Sequence, residues 1–176
     1  MIFTETRLKG AFVLELEKRE DARGFFARSW CREEFEAHGL NPTIAQCNVS
    51  FNHVKGTLRG MHYQAAPFGE AKLVRCTAGA LYDVIIDLRR GSATYKQHVG
   101  ELLSAGNYKM LYVPEGFAHG FQTLEDNTEI FYQMSQFHSP EHARGVRYND
   151  PAFAIEWRMG EPVIADRDRS YPDFSG

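Results

Sequence analysis

Residues 71–88, AKLVRCTAGALYDVIIDL, read as two short strands, AKLVRCTAG (71–79) and ALYDVIIDL (80–88), divided at Gly79. The pattern extends outward in both directions. FVLELEKRE (12–20) alternates apolar and polar residues, and TIAQCNVSF (43–51), TLRGMHYQ (57–64), QHVGELLSA (97–105), YKMLYVPEG (108–116) and TEIFYQMSQF (128–137) follow. These runs are rich in β-branched and aromatic residues, and Gly, Pro, Asn or Asp clusters separate most of them. Many short strands at close spacing predict an all-β sandwich, jelly roll or barrel. One helix is predicted over CREEFEAHGL (31–40), with Phe35 among good helix formers and Gly39 as its stop. No linker or internal repeat divides the chain, so residues 1–176 read as one domain. The polar tail EPVIADRDRSYPDFSG reads by default as a surface extension.

A length of 176 residues with 43% hydrophobic and 13% aromatic side chains suffices for one packed core and excludes a disordered chain. The net charge of −3, without a run of lysine or arginine, argues against a nucleic acid partner. Cys31, Cys47 and Cys76 form no CxxC pair, and their odd number fits a reducing compartment rather than a disulfide framework. The first twenty residues lack a signal-peptide core, and no stretch reaches membrane-span length. These features predict a soluble cytoplasmic protein.

Single ionisable groups stand in apolar strands or tight loops at His62, Lys72, His119 and Tyr132. Each has an ordinary explanation. His62 could be a satisfied structural histidine, Lys72 a solvent-facing lysine, Tyr132 a core residue with its hydroxyl tied up, and His119 a cap on the Pro-x-Gly turn. In a small β-barrel, however, alternate residues point inward, and all four could meet in one cavity. Gly60 lies inside a strand pattern, where glycine marks a bulge or a close backbone approach. In a regular strand Arg59 and His62 would face opposite sides, and a bulge at Gly60 would turn both toward one cavity. No GxSxG, Walker A or GxGxxG motif is present, and Cys47 and Cys76 read as inert strand thiols.

Metal binding is the rival reading. PEGFAHGF has the Pro-x-Gly-x-x-His form of the second cupin motif, but His62-Tyr63-Gln64 lacks the second histidine of the first motif. Two histidines without a firm third ligand make a poor transition-metal site. We therefore expect no metal.

The strings DARGFF (21–26), GTLRGMHYQ, KLVRCTAGALYDVIIDLRRGS, VPEGFAHGFQTLED, FYQMSQF, GVRYNDPAFAIEW and VIADRDRSYP run in order along nearly the whole chain. In this the chain resembles the dTDP-4-dehydrorhamnose 3,5-epimerases. The resemblance implies a cupin-type jelly roll or β-sandwich with one or two short helices, no cofactor, and a substrate that is a nucleotide-linked 4-keto-6-deoxyhexose. It implies His62 as the base at C5 and C3, Asp168 as its carboxylate partner, Lys72 beside the developing enolate, and Tyr132 as the acid on the opposite face. His119 would be a further polar group near the sugar. Arg59 and Arg23 match diphosphate-binding arginines, Gln46 and Asn48 polar ligand contacts, and Phe26 an apolar one. The tail would then fold back over the cavity. The segment around RGFF would reach into the partner's site in a homodimer.

The base-recognising positions depart from the family pattern. Arg28 stands where members often carry a thymine-reading glutamate, and Phe137-His138 where a Tyr-Tyr pair is usual, leaving Phe137 as the stacking surface. Three readings follow: a metal-independent epimerase of C3, C5 or both; a metal-dependent cupin enzyme using His62 and His119; and a non-catalytic sugar-nucleotide binding module. Tyr132 speaks against the last, since binding alone needs no acid opposite the base.

Overall fold

A computed structural model describes residues 1–176. One six-stranded sheet runs β1 (Ile2–Glu5), β2 (Phe12–Glu15), β10 (Met110–Val113), β7 (Lys72–Ala78), β12 (Thr128–Met134) and β5 (Gln46–Asn52). The facing sheet runs β13 (Ala143–Gly145), β6 (Thr57–Gln64), β11 (Phe117–Thr123), β8 (Ala80–Asp87) and β9 (His98–Ser104), with β14 (Val163–Ile164) parallel to β6. A small hairpin, β3 (Arg19–Asp21) and β4 (Gly24–Phe26), stands apart. The two helices are α1 (Arg32–Ala37) and the single turn α2 (Asp166–Arg169). No helix is long and apolar enough to cross a membrane. The architecture is a cupin-type β-sandwich.

The stretch 71–88 links the two layers. β7 belongs to the first sheet and β8 to the second, so the chain changes sheets at Gly79. Gly79 has φ +72, and a Cβ there would lie 2.5 Å from Thr128 Oγ1. Only glycine combines that backbone with that approach.

β8 is buried along its whole length, which accounts for its nearly unbroken apolar run. Leu81 and Ile85 point between the sheets, where Val74, Leu111, Phe117, Phe121 and Ile130 meet them. Tyr82, Val84 and Ile86 point outward onto Met61, Val146 and Phe153. Phe35 of α1 covers the outer face of the first sheet against Leu14, Leu73, Met110 and Tyr112. Burying such a phenyl ring contributes roughly 2–3 kcal/mol and fixes the helix to the sheet.

β6 and β8 match their expected runs closely, and α1 is the expected helix shortened at both ends. β11 differs from expectation. No strand is expected over 117–123, where His119 reads as a cap on the Pro-x-Gly turn, yet Phe117–Thr123 is a fully buried strand paired on both edges. The polar tail supplies β14 and α2 instead of a plain surface extension.

Candidate active site

A cavity of about 630 Å³ opens between the two sheets. β6 brings Arg59 and His62 to it, β11 His119 and Phe121, β7 Lys72, β12 Tyr132 and Met134, and β5 Asn48 and Ser50. Val163, Ile164, Ala165 and Asp168 close one side.

Arg59 and His62 share this wall because β6 is irregular at Gly60. His62 pairs with His119, and Arg59 pairs with Phe121, so β6 carries one residue more than β11 between these points. Gly60 has φ +130, and a Cβ there would lie 2.5 Å from Gly120 Cα. The extra residue turns both side chains to the same side, as a bulge does.

His62 Nε2 lies 2.7 Å from Asp168 Oδ1. The other oxygen, Oδ2, accepts the Gly60 N–H at 3.1 Å. Burial works to raise the Asp168 carboxyl. The hydrogen bond and charge of His62, the Gly60 N–H and the Arg167 guanidinium outweigh it, holding Asp168 below the ordinary carboxylate range. Asp168 is therefore an anion facing a ring whose side chain is 42% exposed to the cavity. A carboxylate on Nε2 selects the tautomer with its proton there and leaves Nδ1 as the basic nitrogen.

A second pair lies deeper. His119 Nε2 is 2.7 Å from Asp83 Oδ1, with both residues buried, and Asp83 Oδ2 has no partner. The Tyr132 ring lies 6.2 Å from that of His119, edge to face. Burial pushes the Tyr132 hydroxyl well above the ordinary tyrosine range; the Asp83 charge adds to the rise, and Ser50 and Arg59 oppose it. Lys72 Nζ, also buried, pairs with Glu70 Oε1 at 2.9 Å. His62 and His119 face each other across the strand pair, but each Nε2 points to its own carboxylate. No group of three His, Cys, Asp or Glu side chains has an arrangement that could hold a metal ion.

Of the expected site residues, His62, Lys72, His119, Tyr132, Asp168, Arg59 and Asn48 line this cavity. The other five do not. The Arg23 side chain is 90% exposed and paired with Asp21, and Phe26 is 74% exposed on the β3–β4 hairpin. Arg28 pairs with Glu34 at 2.8 Å. Gln46 accepts the His138 N–H at 3.1 Å, and Phe137 is 66% exposed. Sequence reasoning missed Asp83 and Ser50, and it weighed Glu70 only as a metal ligand, not as the partner of Lys72. Asp83 left a readable signal, an acid in the middle of the apolar run ALYDVII.

Two histidine–carboxylate pairs on one wall of the cavity, facing Tyr132 and Lys72 from adjacent strands of the other sheet, are the kind of groups an isomerase working by acid–base chemistry uses within a cupin-type sandwich. A profile of the family described as dTDP-4-dehydrorhamnose 3,5-epimerase matches residues 5–176. The dTDP-4-dehydrorhamnose 3,5-epimerase of Sinorhizobium fredii is 40% identical over 175 residues, covering 99% of this chain and 90% of its own. The crystal structure of the Elizabethkingia anophelis enzyme of that name superposes with a TM-score of 0.96 at 36% identity, over 99% of this chain and 96% of that one. The Bacillus anthracis enzyme, solved with TDP and PPi bound, gives 0.94 at 41% identity, over 98% and 99%. The chain belongs to the dTDP-4-dehydrorhamnose 3,5-epimerase family.

Proposed function

We propose that the protein inverts C3 and C5 of a nucleotide-linked 4-keto-6-deoxyhexose of the dTDP-4-dehydro-6-deoxyglucose type. The observation that carries this reading is the opposition of His62, on β6 and paired with Asp168 of the tail, to Tyr132 on the other sheet, across a single cavity. The C4 ketone acidifies the C–H bonds on both neighbouring carbons. His62 Nδ1 takes the proton from one face, and the electron pair moves into the C4 oxygen as an enolate. The Lys72 ammonium offsets that charge, with His119 as a further polar contact. Tyr132, kept protonated by its raised pKa, returns a proton to carbon from the opposite face. A proton must then pass from the imidazolium back to the tyrosinate before the second centre reacts. The sequence is redox-neutral, and lysine supplies the positive charge, so neither a nicotinamide nor a metal has a step to perform.

The Arg59 guanidinium at the cavity mouth is taken as the grip on the diphosphate. TDP and PPi in the Bacillus anthracis relative support a ligand of that kind. Residues 1–176 are taken as one catalytic unit, its tail completing the cavity through Asp168.

We also take the working form to be a cytoplasmic homodimer. Val49 and Phe51 leave an apolar face of β5 exposed, and Phe26 projects from its hairpin. A partner's hairpin would bring Arg23, Phe26 and Arg28 to the open side of the cavity. The three cysteines are free thiols, in keeping with a reducing compartment.

Proton NMR with dTDP-4-keto-6-deoxyglucose in D2O tests the function. Loss of both C3 and C5 signals without added metal or nicotinamide is the expected result. Loss at one position would mark a mono-epimerase, and no exchange would overturn the assignment for this substrate. Sedimentation of a single monomeric species at micromolar concentration would overturn the dimer.

A further inference from the structure

We infer that Asn52 is the positioning residue for the diphosphate arm of the site, acting through Arg59. The inference rests on the reading of Arg59 as the diphosphate grip. Asn52 is 2% exposed, at the end of β5. Its Oδ1 accepts the Arg59 Nε–H at 2.8 Å. Its amide nitrogen donates to Thr128 O at 3.2 Å and lies 3.4 Å from both Ser50 O and Ser50 Oγ. These acceptors fix which way the amide faces, because a flipped amide would set oxygen against oxygen. Thr128 is itself buried, and its hydroxyl donates to Glu125 O at 2.8 Å. A continuous path therefore runs from the core through Asn52 to the guanidinium.

The chemistry of the acceptor matters. Arg89 is closed by Asp87 through Nε at 2.9 Å and Nη2 at 2.8 Å, and Arg23 is closed by Asp21 in the same way. Those guanidinium groups are neutralised internally. Arg59 forms no salt bridge and gives only its Nε–H to a neutral amide. Its full charge and the fork of terminal N–H groups stay available to a phosphoryl oxygen pair. Asn52 thus orients the cation without consuming it. Holding Nε also restricts a long, otherwise free side chain before the ligand arrives, lowering the ordering cost of binding.

The test is a double-mutant cycle on the full chain, read by dTDP titration calorimetry and steady-state kinetics. Asn52→Leu removes the acceptor at similar volume. Asn52→Ser is the second variant should leucine prevent folding. Arg59→Lys removes the Nε–H that Asn52 holds. We expect Asn52→Leu to raise the dTDP Kd and the substrate KM about tenfold, with kcat within about twofold, as for loss of one orienting bond to a charged group. In the Arg59→Lys background the same change should add nothing. Wild-type dTDP affinity in both Asn52 variants would overturn the inference. So would an equal loss in both arginine and lysine backgrounds, which would mark a merely structural asparagine. Unchanged dTDP affinity in Arg59→Ala is a separate outcome: it would remove the diphosphate grip itself, and this inference with it.

Discussion

Asp168 and His62 stand 106 residues apart in the chain and 2.7 Å apart in the fold. Their pairing depends on the tail returning to β6, where β14 adds a short parallel edge and α2 turns the carboxylate inward. Asp168→Asn keeps the shape and removes the charge. An amide facing Nε2 no longer enforces the tautomer or stabilises the imidazolium. We expect kcat to fall by about 10²–10⁴-fold with the melting temperature little changed. Rates within about threefold of wild type would show that the pair is structural.

Besides β14, the Tyr171 and Phe174 rings help seat the tail. Tyr171 lies so close to Gly145 of β13 that a Cβ on Gly145 would overlap the ring. Gly145 is the register partner of His62. Gly145→Ala should therefore lift the segment that carries Asp168. We expect roughly a 10- to 100-fold loss of kcat, the scale of a misplaced catalytic group. Limited proteolysis should now cut within the tail. Normal turnover with a protected tail would mean that Tyr171 moves aside without carrying α2.

Much of this could be read in the sequence. Strands such as ALYDVIIDL announce themselves by side-chain type, and isolated ionisable groups in such runs pointed to His62, Lys72, His119 and Tyr132. Strand order was not legible, because pairing is non-local: nothing in residues 71–88 says that β7 and β8 join different sheets. β11 was hidden by its glycines. β14 and α2 are too short to carry a periodic signal, and α2 has no side-chain cap. Asp168 was reached only through family resemblance. Asn52 carries no sequence signal either, since its role depends on an amide meeting Arg59 across the fold. Arg23, Phe26 and Arg28 lie off this cavity, on and just after the β3–β4 hairpin that stands apart from both sheets.

Tyr132→Phe separates proton removal from proton return. The ring's packing is kept and the donor is lost. We expect product formation to fall by about 10²–10⁴-fold while some deuterium exchange persists at the sugar, since His62 can still take and return a proton on its own face. Burial first, then the Asp83 charge, raise the Tyr132 hydroxyl above its ordinary value of 10.0. An acid with a raised pKa keeps its proton as pH climbs. The wild-type rate should therefore show no decline attributable to this tyrosine as pH approaches 10. A decline that vanishes in Tyr132→Phe would contradict that.

Acid stability should be governed in part by a group outside the active site. Asp87 is fully buried on β8. Burial works to raise its carboxyl, but bonds from Arg89, Ser92 and Thr94 outweigh this and bring it from 3.8 down to about 2. The folded pKa lies below the unfolded one, so the associated stability is fully present above about pH 4 and is lost as pH falls toward 2. The shift corresponds to about 2 kcal/mol. Asp87→Asn should lower the stability to urea by about that amount near pH 7, because it also leaves Arg89 without its carboxylate. Near pH 2 the variant and the wild type should converge, because there the wild-type carboxyl is itself becoming neutral. A constant gap between the two across the whole pH range would mean that the substitution acts through packing rather than through this ionisation.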